Sequence, residues 1–479
     1  MVRTPKFRRR EAIAAAGTLL AAGCLGAGRR GPGDGDRGYL GADPTPPERD
    51  GDWRMYGRDP GRTRHVPDAD LPRDGVDVAW ERSVSADGWL PPVVANGTVY
   101  CQYTNGLFVL DVESGDGKEV RTYGGFGRGA GPMAFASTTL YRDGALLVPY
   151  GRAVAGYAAA PDGWPDEVSG RGKRRARWWF DGDRADSRPP GGHSPPSWSA
   201  TPVVHDGAVI TLHPRGIVAA VSPDDGTPRW RYAFADADRD DLRSFDPFEY
   251  VVDPASATVV VYGRVGWTPT LVGLDLTTGS LEWLDAANGS PEAESTDHGV
   301  PELRLEEYDR LAAADRSVYV TDWTDWSPLR LREVNAASGD DSWSRSLERE
   351  SHVGLAVDGT TVYHLGTVET DDRGERAAVA AVDREDGTVR WEVVLDDDPG
   401  GGVWATNQPS PTVAGDQLLV PAGKGLHALE RTSGERLWTF TETVPTAGGS
   451  EDERAGITPA VVSNDRIVLG ATLRLYGLE

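Results

Sequence analysis

Cysteine and lysine are what this 479-residue chain has least of: two cysteines, and lysine only at Lys6, Lys118, Lys173 and Lys424. Two cysteines cannot build a disulfide framework, and with Cys24 set aside for the role argued below, Cys101 has no intramolecular partner. Cys101 sits in the alternating run Val99-Tyr100-Cys101-Gln102-Tyr103, where it reads as a small buried strand residue and not as a nucleophile. Stability must then come from a large apolar core. The shortage of lysine leaves arginine against 74 acidic residues, for a formal net charge of -24. Such a surface repels nucleic acid and anionic lipid headgroups. It also fits a halophile's protein kept soluble in very high salt, where the screening length falls to a few Å. Codon bias towards Arg, Ala and Gly is the bland alternative, but it does not enrich Asp and Glu.

Motifs of metal and redox chemistry are missing too. The eight histidines have no zinc-like spacing, and His205 and His213 read as packed or solvent-facing residues. There is no Cys-x-x-Cys-His haem attachment motif. The run Asp236-Ala237-Asp238-Arg239-Asp240-Asp241 alternates carboxylates but lacks the Gly and the distal Glu of a calcium loop, so a solvated acidic loop is the better reading. Arg171, Lys173, Arg174, Arg175 and Arg177, followed by Trp178 and Trp179, form a basic, aromatic stretch. On so acidic a chain it reads as an extended loop, with no nucleic acid as partner.

Long apolar runs are absent except from Ala12 to Ala22, which follows Arg3, Lys6, Arg8, Arg9 and Arg10 and is too short for a permanent membrane span. Residues 1–23 are therefore expected to be an export signal. Arg9-Arg10 with Ile13 following resembles a twin-arginine signal, and Leu20-Ala21-Ala22-Gly23-Cys24 resembles a lipobox that makes Cys24 the lipidated first residue. Ala21 stands where Leu is usual, which leaves simple cleavage or an uncleaved anchor open. Residues 24–52, rich in Gly, Asp, Pro and Arg, read as a disordered tether. The expected location is the outer side of the cytoplasmic membrane, with membrane contact only through the lipid. Asn96-Gly97-Thr98 and Asn288-Gly289-Ser290 are glycosylation sequons, although Asn96 is also demanded by a turn and Pro291 makes Asn288 a poorer acceptor.

What is abundant is a repeated phrase: an apolar run, a turn ending in Gly, and a Trp four residues after that Gly. Gly226 leads to Trp230, Gly279 to Trp283, Gly339 to Trp343, Gly387 to Trp391 and Gly434 to Trp438. A period near fifty residues signals a repeat architecture. Ahead of each phrase comes a strand pair around a tight turn, with turns near Asn96, Asp143, Asp206, Pro254, Asp315, Asp358, Gly415 and Asn464. Asn-Gly and Asp-Gly supply the positive φ that two-residue hairpins need. The eighth pair is followed only by Leu473 to Glu479, whereas Val78-Ala79-Trp80-Glu81 stands alone before the first. The pattern predicts an all-β fold: an eight-bladed β-propeller of four-stranded antiparallel blades over residues 53–479, closed by N- and C-terminal strands sharing one blade. Trp80, Trp230, Trp283, Trp343, Trp391 and Trp438 are expected to dock between blades. Glu119 replaces the first Trp, and the second, Trp178 or Trp179, follows an insertion.

Thr278-Gly279-Ser280-Leu281-Glu282-Trp283 resembles the tryptophan-docking repeat of the pyrroloquinoline-quinone-like propellers, and Trp53-Arg54-Met55-Tyr56-Gly57-Arg58-Asp59-Pro60 resembles their N-terminal lead-in. That family includes quinoprotein alcohol and sugar dehydrogenases and a non-catalytic lipoprotein of outer-membrane β-barrel assembly. The dehydrogenase branch implies a neighbouring-cysteine disulfide, calcium and an Asp base; the paired cysteines are absent here, as they are from some quinoproteins. Asp111, Asp275 and Asp383 lie in docking turns, where turn capping is expected. The insertions at Ser187–Ser197 and Asp285–Asp309 are the expected carriers of binding specificity. The sequence therefore predicts a monomeric scaffold binding an extracellular protein or ligand, with no catalytic, cofactor or metal residues. The alternative is a dehydrogenase holding pyrroloquinoline quinone and calcium in its central channel.

Overall fold

The computed structural model describes residue 49 and residues 51–479, except 84–89, 104–105, 121–130, 142, 151–152, 160–175, 184, 187–200, 267, 286–309, 325–326, 350, 371–373, 396–409, 423–424, 442–456 and 472–473. The apolar runs fold as strands of an eight-bladed propeller, each blade a meander in which the first strand pairs with the second and so on outwards. Blade 1 spans 93–120, blade 2 134–186, blade 3 203–233, blade 4 245–285, blade 5 311–346, blade 6 351–394 and blade 7 412–441; blade 8 joins 461–478 to 78–83.

The first strands form the inner ring. Neighbouring first strands lie against each other. The Tyr250 hydroxyl donates to the carbonyls of Thr201 and Ile210 at 2.6 and 2.7 Å, joining blades 3 and 4, and Thr412 Oγ1 donates to the Ala460 carbonyl at 2.8 Å, joining blades 7 and 8. Inner strands such as Val93–Ala95 and Val461–Ser463 are wholly buried, whereas the outer strand Asp341–Ser346 alternates with solvent. That gradient follows from stacking sheets radially, since only the outermost strand keeps a free edge. Two-residue turns form where Asn-Gly and Asp-Gly allow: Asn96 and Gly97 take φ of 55° and 79°, Asp206 and Gly207 43° and 64°.

Val78–Ser83 pairs antiparallel with Arg474–Leu478, with Trp80 opposite Gly477, so both chain ends share blade 8. Asp77 and Glu479 exchange backbone hydrogen bonds of 2.8 and 3.0 Å across the join. The docking Trp residues explain the Gly-to-Trp spacing in an unexpected way: the Gly and Trp of one phrase do not meet. Trp230 lies on Gly279 of the next blade and donates to the Leu276 carbonyl at 2.9 Å, while Trp283 lies on Gly339 and donates to Ala336. Trp80, Trp343 and Trp391 dock likewise on the turns at Gly115, Gly387 and Gly434. Each of those glycines has positive φ, and a Cβ there would strike the indole, which is why the position is Gly.

Of the two tryptophans after the insertion, Trp178 is the docking one, on Gly226 and the Pro223 carbonyl. Glu119 leaves blade 1 without a docking ring. There the seam is filled by Tyr100, Phe135 and Trp179 within an apolar cluster. Trp438 finds no turn in blade 8, whose third and fourth strands, Arg474–Leu478 and Val78–Ser83, are not joined directly. It donates instead to the Pro72 carbonyl at 2.9 Å, so the segment entering Val78 supplies the missing acceptor. Two sheets exceed the expected four strands: Ala185–Asp186 extends blade 2, and His65–Val66 adds a parallel strand inside blade 7.

Candidate functional site

The lead-in that the sequence offered only as a family signature closes the centre of the ring on the hairpin side. Its residues visit the blades in order. Ser463 of blade 8 donates to the Gly51 carbonyl, Trp53 exchanges 2.8 Å backbone bonds with Val94 of blade 1, and Phe135 of blade 2 donates to Arg54. Val252, Ala313, Val357 and Val413, from blades 4 to 7, then donate to Pro60, Gly61, Thr63 and Arg64 at 2.7 to 3.0 Å. First-strand edges facing the axis have no blade partner, so this segment satisfies their backbone groups.

Its side chains explain how so polar a peptide can be buried. Asp52 accepts from Arg54 at 2.8 Å, and Arg62 pairs with Glu249 at 2.6 Å, both pairs almost fully enclosed. Glu249 also accepts from the Arg310 backbone N–H at 3.0 Å, so both its oxygens are taken. Arg64 lies over the Tyr56 ring at 4.4 Å, and Arg62 over Tyr56 and Tyr250. Arg58, Arg62 and Arg64 adopt positive φ, a strained state for arginine that the surrounding bonds impose.

Between this segment and the turns of blades 4 to 6 lies an open groove of about 410 Å³, lined among others by Asp59, His65, Asp253, Asp315, Asp358 and Arg384. Its carboxylates and Arg384 are held by neighbouring groups. Asp59 accepts from the Thr63 N–H and hydroxyl, Asp253 caps Ser256, Asp358 accepts from Thr360 and Tyr363, and Arg384 binds the Tyr319 hydroxyl and Asp315. Burial pushes Asp59 above the usual carboxylate range against the pull of Thr63, and burial lowers His65. On the other side of the ring, between blades 4 and 5, Arg332 bridges Asp322, Asp285 and Asp341 at 2.6, 3.1 and 2.7 Å. Burial raises Asp322 and takes Tyr262 up to about 12.

Asp111, Asp275 and Asp383 cap their turns, each accepting from N–H groups two or three residues on. The Thr278 hydroxyl above all holds Asp275 below the ordinary range. Cys101 is fully buried with its thiol raised by burial. In the acidic run, Asp240 and Asp241 pair with Arg243 and Arg239. Among the described residues no three His, Cys, Asp or Glu converge as metal ligands. Asn96 is tied to the lead-in, its N–H donating to Asp52 at 2.9 Å. Arg9, Arg10, Cys24 and Asn288 lie outside the described residues, as do 187–200, 286–309 and most of the basic stretch. What sequence reading missed was the role of 51–66; its one signal was a cluster of Trp, Tyr and Arg that belongs to no repeat.

An eight-bladed ring with indoles docked on neighbouring turns defines a tryptophan-docking propeller. The family profile described as outer membrane protein assembly factor BamB matches residues 73–331 and 328–479, and the chain belongs to this family of pyrroloquinoline-quinone-like propellers. No curated protein matches the sequence. Among solved structures it is similar to a quinohemoprotein alcohol dehydrogenase from Pseudomonas putida (11% identity, 90% of this chain and 80% of that one, TM-score 0.56). It is also similar to a quinohemoprotein alcohol dehydrogenase from Comamonas testosteroni (12%, 96% and 84%, TM-score 0.54) and to BamB from Moraxella catarrhalis (14%, 85% and 100%, TM-score 0.50). At these identities the likeness is one of fold.

Proposed function

We propose that this chain is an extracytoplasmic scaffold that binds a protein partner through the propeller face opposite the lead-in, tethered by a lipid on Cys24. The observation that carries the reading is directional. The lead-in occupies the centre on the hairpin side, while the long connections 286–309, 396–409 and 442–456 leave fourth strands and enter first strands, so their attachment points lie on the opposite face. Insertions gathered at one end of a rigid ring are the usual seat of recognition. The family, described by an assembly factor, supports a partner protein. Replacing 287–308 by a short Gly-Ser linker is expected to leave the melting temperature unchanged and to abolish in-cell crosslinking to the partner; undiminished capture by that variant would sink the reading.

A second reading, a quinone-dependent dehydrogenase, is favoured by the somewhat higher fold similarity to the two alcohol dehydrogenases than to BamB. Two buried carboxylates of the ring weigh against its calcium. The ion takes six to eight oxygens, whereas Glu249 is fully engaged and Asp322 keeps one unpartnered oxygen. Adding the quinone with calcium to the purified protein tests it: a raised melting temperature with dye reduction would establish the enzyme, and neither would remove it.

A further inference from the structure

Arg349 enters blade 6 just ahead of its first strand, and its side chain is only 1% exposed. Nη1 is engaged, donating to the Glu348 carbonyl and to Glu392. Nε and Nη2 have no acceptor among the described residues. Arginine does not deprotonate to relieve such a defect, and a buried charged donor left unpaired is costly. His364, fully buried, has the same defect at Nδ1, while its Nε2 lies 3.2 Å from His352 Nδ1. Burial, with the charges of His352 and Arg349 behind it, holds His364 well below the ordinary histidine range, so it is neutral. If His352 donates in that pair, His364 presents Nδ1–H as a further donor.

These groups share one place. Both side chains abut Gly366, where a Cβ would lie 2.8 Å from His364 Cε1 and 3.1 Å from Arg349 Cδ. The register puts Leu355, His364, Ala380 and Glu392 on one face of blade 6, the face packed on Leu329, Leu331 and Leu347 in the seam with blade 5. An apolar, weakly screening wall strengthens any charge interaction made there. Among the described residues Glu392, half exposed, is the one carboxylate partner of Arg349.

We infer that the seam between blades 5 and 6 binds a small inorganic anion of halide size, held by Arg349 Nε and Nη2 and by His364 Nδ1. The three N–H groups lack acceptors among the described residues, and the arginine charge selects an anion over water; a single-atom anion is the smallest that would satisfy them. The site is independent of the partner-binding reading.

The test uses the purified full chain at constant ionic strength in sodium chloride, sodium bromide or sodium gluconate. Melting is expected about 2 °C higher in chloride and bromide than in gluconate, and Arg349→Met is expected to abolish the difference. A difference that persists in Arg349→Met would be a bulk salt effect and would overturn the assignment. Should that variant not fold, crystals of the natural protein grown in bromide decide: an anomalous peak between Arg349 and His364 supports the site, and none overturns it.

Discussion

The docking tryptophans carry the repeat at the scale of single residues. Trp283 is 9% exposed, covers Gly339 of the next blade and satisfies the Ala336 carbonyl. Trp283→Ala removes an aromatic ring from a seam that cannot collapse, because the blades are held by their own ladders. The expected cost is about 3–5 kcal/mol, measured by denaturant unfolding; a loss below about 1 kcal/mol would mean that the ring covers the seam without stabilising it. The docking-turn aspartates make a smaller, pH-dependent contribution. Asp275 has a lowered pKa in the fold, so its contribution is present above the unfolded value near 4 and is lost as pH falls through the folded one. Asp275→Asn is therefore expected to flatten the acid limb of the stability profile, and an unchanged limb would contradict the capping role. These residues were legible in the sequence because each recurs at a fixed place in a repeat. The partner of each Trp was not legible, since the Gly it covers lies in the following copy.

At the scale of elements, the lead-in behaves as a ninth component of an eight-membered ring. It has no regular structure beyond His65–Val66, yet it hydrogen-bonds to first strands or their turns in seven blades. Its path depends on close approach. A Cβ on Gly61 would collide with the Ala313 carbonyl, the acceptor side of the residue whose N–H bonds to Gly61. Gly61→Val is expected to lower stability by about 1–3 kcal/mol through overpacking and to expose 51–66 to limited proteolysis. Cleavage no faster than in the natural protein would contradict the keystone role. The sequence of 51–66 shows little of this beyond Gly61 and its Trp, Tyr and Arg cluster, because the bonds to the blades are made mostly by carbonyls and amides that every residue has.

At the scale of the whole molecule, closure converts eight marginal sheets into one cooperative body. Arg474–Leu478 lies between Val78–Ser83 and Arg466–Ala471, so it is an interior strand despite being the C-terminus. Truncation after Ala471 is expected to leave Trp80 and its strand unpaired and to give an aggregating protein, as an exposed interior edge does; a soluble, monomeric truncation of unchanged melting temperature would show that the ring does not need its join.

Blade number, closure by both ends, docking positions and turn residues were determined by the sequence alone, because each is a local signal repeated at a fixed period: alternation, positive-φ turns, a Gly and a Trp. The tertiary structure alone decided which blade each indole covers, that Pro72 stands in for a turn the eighth blade lacks, that 51–66 closes the ring's centre on the hairpin side, and that Arg349 and His364 meet in one seam. Those facts rest on contacts between residues far apart in the chain, and spacing along a sequence carries no information about which distant surfaces come together.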